Sequence, residues 1–254
     1  MPTMLHFLLA LAGVGVGAVG SMLGIGGGLF LVPLLLLGGL VAGAPQAAGT
    51  SIAAVLANGI SSTTAYLRRK VTNWKVGLVV VPGAVAGGWV GAYLAGRIEP
   101  GKLALAFGLF LLYPAAVLVL GKQPKDLFHG RGRAGVGILA GGMVGLVAGT
   151  AGGLFGIGGG VIMVPALTFL GLDILPAIAT SLFVMIPSSA VALAQHALAG
   201  RTQWDLAFPL IGGIVIGAQI GPILSLRLPA RWLRRLFALV LLYTAAQMIR
   251  RGLS

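Results

Sequence analysis

The chain has 254 residues, 58% of them apolar and 8% charged, with no cysteine and a formal net charge of +13. An ordinary soluble domain carries about a quarter charged residues, so that class is excluded, and a cysteine-free chain builds no disulfide, thiolate nucleophile or cysteine metal site. The basic residues stand in short clusters between long apolar runs, the pattern that sets membrane orientation rather than one that grips nucleic acid.

Ten apolar segments follow in order. In the first half they are 4–23, 25–41, 47–67, 76–96 and 103–120; in the second they are 134–155, 157–171, 175–199, 206–226 and 232–249. Several approach the ~20 residues that a spanning helix needs. The alternating segments of about ten residues that mark a membrane β-barrel are missing. The expected fold is therefore all-α and polytopic, in two repeats of about five transmembrane or half-membrane helices: 1–121, then a cytoplasmic linker 122–133, then 134–254.

The first segment lacks the basic start of a signal peptide, and Gly13–Gly28 matches Gly145–Gly160, so it belongs to the fold. Gly15-Val16-Gly17-Ala18-Val19-Gly20 fits a dinucleotide-binding pattern. It lies in a membrane helix rather than a strand-turn-helix unit and carries no such meaning.

The second segment opens on Leu23-Gly24-Ile25-Gly26-Gly27-Gly28, then Val32-Pro33; 132 residues later come Phe155-Gly156-Ile157-Gly158-Gly159-Gly160 and Val164-Pro165. A glycine triplet in an apolar run breaks a helix at membrane depth, where irregular backbone survives only inside protein or along a cavity. Matched breaks in two halves point to a transporter's binding site. Each helix that restarts after a triplet offers unpaired N–H groups and a positive dipole end, which suit an anion. Gly26, Gly27, Gly28, Gly158, Gly159 and Gly160 are therefore candidate substrate ligands. Elsewhere, glycines at four-residue spacing, such as Gly145, Gly149 and Gly153, read as close helix packing.

The third segments carry hydroxyls and amides. Ser51, Asn58 and Ser62 share one helical face, as do Ser181, Ser188 and Gln195 in the other half. Thr50 and Thr180 adjoin them. Thr50, Ser51, Asn58, Thr180, Ser181 and Ser188 are candidate ligand contacts, with interhelical hydrogen bonding as the competing role. His196 is a candidate proton relay, although Arg201 only five residues on argues for a place at the interface. No acidic residue falls inside a segment, which disfavours a metal cation as cargo; no cofactor, metal site or catalytic constellation is expected.

After the triplets the match runs at an offset of 130: Thr50-Ser51 with Thr180-Ser181, Thr72 with Thr202, Trp74 with Trp204 and Arg97 with Arg227. Ten crossings put +10 on the side holding loops 68–75, 122–133 and 227–235, and +3 on the other. Equivalent loops carry opposite bias, as inverted repeats require. An eight-crossing alternative, with parallel halves, separates charge less well.

The paired Gly-Ile-Gly-Gly-Gly and Val-Pro phrases, each followed by Thr-Ser, resemble the TauE/SafE sulfite-exporter family, also called the toluene-sulfonate uptake permeases. The resemblance covers about residues 10–250. It implies a multi-pass transporter of sulfite or organosulfonate in a bacterial inner membrane, most simply an exporter. Proton-coupled uptake stays open, as does a membrane enzyme or non-transporting subunit. The expected partners are the lipid bilayer and a small anionic substrate, with a homodimer left open.

Overall fold

The computed structural model describes residues 2–120, 137–224, 242–250 and 252–253. The expected linker 122–133 and loop 227–235 lie outside the described residues. The helices are α1 (Pro2–Leu23), α2 (Gly28–Leu37), α3 (Ala44–Arg68), α4 (Trp74–Ala95), α5 (Pro100–Leu120), α6 (Ile138–Phe155), α7 (Gly160–Phe169), α8 (Ile174–Leu198) and α9 (Trp204–Leu224). Residues 242–250 are also helical. The fold is all-α, as the apolar pattern requires.

Five described helices, α1, α4, α6, α8 and α9, are long and apolar enough to cross a membrane. The second segment of each half shortens to ten residues, because its triplet lies before or at the helix start. Ten residues rise about 15 Å, half the ~30 Å hydrocarbon core. α3 has 25 residues but too many polar groups to face lipid; Thr50, Ser51, Asn58, Ser61, Ser62, Thr63 and Tyr66 are all buried in protein.

Chain directions follow from residues that meet. Asn58 reaches Gly17 and Tyr66 reaches Ser21, so α1 and α3 run parallel and the segment between them must return. Gly49 faces His196 and Gly59 faces Leu182, so α3 and α8 run antiparallel. These two helices are repeat equivalents. Their opposed directions are compatible with the expected inversion.

The halves interlock. α1 packs on α9, and its equivalent α6 packs on α4, each pair drawn from opposite halves. Both seams are paved with glycine. Gly13 and Gly17 lie on the backbone of Leu210 and Ile214, while Gly213, Gly217 and Gly221 lie on Ala10, Val14 and Ala18. Across the other seam Gly145, Gly149 and Gly153 meet Val80, Ala84 and Gly88, and Gly83, Gly87 and Gly91 meet Gly142, Leu146 and Thr150. The four-residue glycine spacing thus serves helix contact between halves, at distances where backbone meets backbone.

Candidate functional site at the crossed helix breaks

The two breaks pass each other antiparallel. A side chain at Gly28 would strike Gly156 and Ile157; one at Gly160 would strike Gly24 and Ile25. Gly26 and Gly158 both face Val55 and Met185, which are themselves repeat equivalents on α3 and α8. All six triplet glycines are buried, and the two expected halves of the site are brought together.

The local chemistry forces glycine here. Gly27 has φ 87° and Gly159 φ 80°, left-handed values at which each caps the helix that follows. Leu31 and Met163 donate back to these two residues, as a helix start requires. Ile25 and Gly26 donate to Gly20, and Ile157 and Gly158 to Gly152. The N–H groups of Gly27, Gly28 and Leu29, and of Gly159, Gly160 and Val161, have no acceptor among the described residues. Six orphan donors from two helix starts therefore lie buried around one crossing.

The hydroxyls that sequence analysis marked are engaged with backbone, in pairs related by the repeat. Ser51 Oγ donates to Gly156 O at 2.8 Å, and Ser181 Oγ to Gly24 O at 2.6 Å. Each serine thus pins the opposite half's break. Thr50 Oγ1 accepts from Gln203 N and Thr180 Oγ1 from Asn73 N, both at 3.0 Å. Asn58 accepts from Ser62 at 2.6 Å and makes a long 3.4 Å contact to Gly17 O; its amide stands 3.6 Å from where a side chain at Gly27 would begin. Ser188, the repeat equivalent of Asn58, donates its Oγ to Ala84 O of α4 at 2.8 Å. The triplets, Ser51, Ser181 and Asn58 form one cluster. Thr50 and Thr180 fasten loops at its two ends.

His196 is fully buried in protein in the last turn of α8, with Nε2 2.9 Å from Gly153 O and no partner for Nδ1 among the described residues. Its repeat equivalent is Tyr66, whose hydroxyl donates to Ser21 O at 3.1 Å, and Ser21 is the equivalent of Gly153.

Sequence reasoning missed two arginines. Arg69 donates to Pro222 O at 2.7 Å and Arg201 to Ala92 O at 2.9 Å. The two carbonyls are repeat equivalents, but the arginines are not: alignment sets Arg69 opposite Ala199, so no pairing flagged them. Burial pushes the Arg201 guanidinium below its usual value, although an arginine keeps its charge. Gln219 was also unassigned; its amide donates to Ser61 O and Oγ at 2.8 and 2.7 Å, tying α9 to α3. The described acidic residues sit at helix ends: Asp173 before α8, Asp205 in the first turn of α9, and Glu99 paired with Lys102 at 3.1 Å.

Apolar helices interlocked around two buried, crossed breaks are the architecture of a polytopic membrane protein. The comparisons narrow the class. The chain matches the sulfite exporter TauE/SafE family over residues 9–248, and it belongs to that family. It is 30% identical to the probable membrane transporter protein YunE of Bacillus subtilis, over 97% of this chain and 98% of that one. It is 26% identical to the probable membrane transporter protein MJ0441 of Methanocaldococcus jannaschii, over 92% and 91%. A sulfite exporter TauE/SafE family protein 3 of Arabidopsis thaliana is 34% identical over 44% of this chain and 26% of its own. No solved structure matches the chain.

Proposed function

We propose that this transporter moves small sulfur-containing oxyanions, sulfite or an organosulfonate, outward across a bacterial inner membrane. The observation that carries the reading is the set of six buried N–H groups, without partners among the described residues, at two helix starts that cross. Orphan N–H groups and positive dipole ends favour an anion. Carboxylates confined to helix ends leave the described core without a negative group to repel it. The sulfur comes from the family's name; the charge preference comes from the geometry.

In this reading the N–H groups of Gly27, Gly28 and Leu29, and of Gly159, Gly160 and Val161, hold the anion, while Gly26 and Gly158, whose N–H groups are bonded to Gly20 O and Gly152 O, shape the turns. Ser51 and Ser181 set the position of the opposing break, and Asn58 lends an amide. An inside-negative potential drives an anion outward by about 2.3 kcal/mol per charge per 100 mV, so export needs no coupling ion. The halves are inverted, with loop 68–75 cytoplasmic. The protein acts as a carrier and not as an enzyme.

The test is flux in proteoliposomes of sulfite, an aromatic sulfonate, sulfate and chloride under imposed voltage and pH gradients. Voltage-driven movement of sulfite or the sulfonate, unchanged by chelators, supports the reading. Divalent-cation flux, or no anion flux from folded protein, overturns it. Proton-coupled uptake is the second reading, favoured by the buried, half-partnered imidazole of His196; the pH-gradient arm of the same experiment decides between them.

A further inference from the structure

The two repeats fasten their first helices in the same way but with different chemistry. At one end the Tyr66 phenol, at the end of α3, holds Ser21 O near the end of α1. At the other end the His196 imidazole, at the end of α8, holds Gly153 O near the end of α6. Both bonds lie one turn before a glycine break. Each therefore fixes where its break begins, because Gly24 follows Ser21 by three residues and Gly156 follows Gly153 by three.

A phenol donates its proton and has no further proton to gain. A neutral imidazole can make the same bond through Nε2–H, and it then leaves a bare Nδ1. That nitrogen is buried and has no partner among the described residues. A second proton there would find no acceptor. It would also stand beside Arg201, whose backbone N–H donates to His196 O at 2.9 Å and whose guanidinium reaches Gln195 O.

No described neighbour offsets the added charge. α6 and α7 carry no charged residue, and Arg68 of α3 and Lys75 of α4 lie at the far end of the molecule. Tyr93 and Arg97 engage each other at 4.6 Å, and Asp205 is exposed in the first turn of α9.

We propose that His196 is a proton-binding site that works as a latch: neutral, it holds α6 and the second glycine break closed; protonated, it lets go and opens that end. The opposite end, closed by Tyr66, has no such response. Protons therefore act on one face of the transporter only. This rests on the transporter reading but not on the identity of the cargo.

The test needs no substrate. Ala192 is buried one turn before His196 on α8, and the natural chain has no cysteine to interfere. The full chain carrying Ala192→Cys is reconstituted, and its labelling by a membrane-impermeant maleimide is timed from about pH 8 down to about pH 4, below the ordinary histidine range because the second proton finds no acceptor in the closed state. The same substitution is combined with H196Q, which keeps a donor but does not titrate, and with H196Y, which copies the other end. Dividing the rates by those in the H196Q background removes the thiol's own pH dependence. The ratio should rise several-fold as pH falls, from one face only, and H196Y should behave like H196Q. A flat ratio, or an equal rise in the H196Y background, overturns the latch. If labelling responds as expected while sulfite flux is absent, the cargo assignment falls and the latch stands.

Discussion

The molecule uses glycine in two places for two reasons. In the seams α1–α9 and α4–α6 the glycines are helical and have ordinary φ; what matters is the missing side chain, which lets one backbone lie on another. In the crossed breaks, Gly26, Gly27, Gly158 and Gly159 adopt φ from 76° to 87°, and what matters is the backbone conformation itself. The seams run along continuous helices. The breaks leave six N–H groups without acceptors among the described residues. The first arrangement resists lipid and holds the halves together; the second gives up local stability for a place where charge can bind.

The largest effect separates these roles. Gly27→Leu and Gly159→Leu should each abolish anion flux. A side chain at Gly159 runs into the Ala148 carbonyl, one at Gly27 meets Val16, and the left-handed φ costs a non-glycine residue about 1–2 kcal/mol more. Size-exclusion profiles and thermal melts establish that the variants fold. Folded variants with normal sulfite flux would move the site away from the breaks.

Next in size is the seam. Gly145→Ala puts a methyl group against the Val80 carbonyl and the Ala84 nitrogen, both backbone atoms that cannot swing aside. The four-residue pattern alone suggests a mild packing loss for alanine there; the observed contact demands that the helices separate. A loss of about 1–3 kcal/mol, typical of overpacking, should appear as a lowered melting temperature. Flux per folded molecule should change little. If melting is unaffected but flux is lost, the seam is part of the moving machinery rather than a fixed joint.

Much of this was legible in the sequence. The triplets, the Thr-Ser pairs and most helix boundaries stood out because glycine, proline and hydroxyl residues recur at fixed offsets. What stayed hidden was interlocking: no periodicity says that α1 packs on α9 rather than on α4 of its own half. Tyr66 and His196 hold equivalent positions, but a phenol and an imidazole share no identity that would pair them. Arg69 and Arg201 reach equivalent carbonyls from unaligned positions. The partners of Ser51 and Ser181 were invisible for the same reason, since each lies more than a hundred residues away.

Those serines provide a smaller, paired test. Ser51→Ala frees Gly156 O and Ser181→Ala frees Gly24 O, and the two bonds are equivalent under the repeat. Each loss should cost about 1 kcal/mol, in the range of interhelical hydrogen bonds in membranes. Both should also slow flux by loosening the opposite break, with an effect on melting that is similar for the two. If the serines touch the anion directly instead, affinity for sulfite should drop with little change in melting without ligand.

The smallest effect is expected where glycine does neither job. Gly212 lies on the exposed face of α9, has ordinary helical φ, and has nothing within 4 Å of where a side chain would begin. Its neighbour Gly213 is the seam residue, packed on the Ala10 carbonyl. Gly212→Ala removes an entropic penalty of about 0.5–1 kcal/mol for glycine within a helix and meets no obstacle. It should raise the melting temperature slightly and leave flux untouched, whereas Gly213→Ala, one residue on, should lower it clearly. The pair differs by one position and about a hundred degrees of helix, so opposite signs at the two would confirm that contact geometry, not glycine content, holds the seam. Equal responses would mean that α9 tolerates alanine all round and that the interlock is looser than its backbone contacts imply.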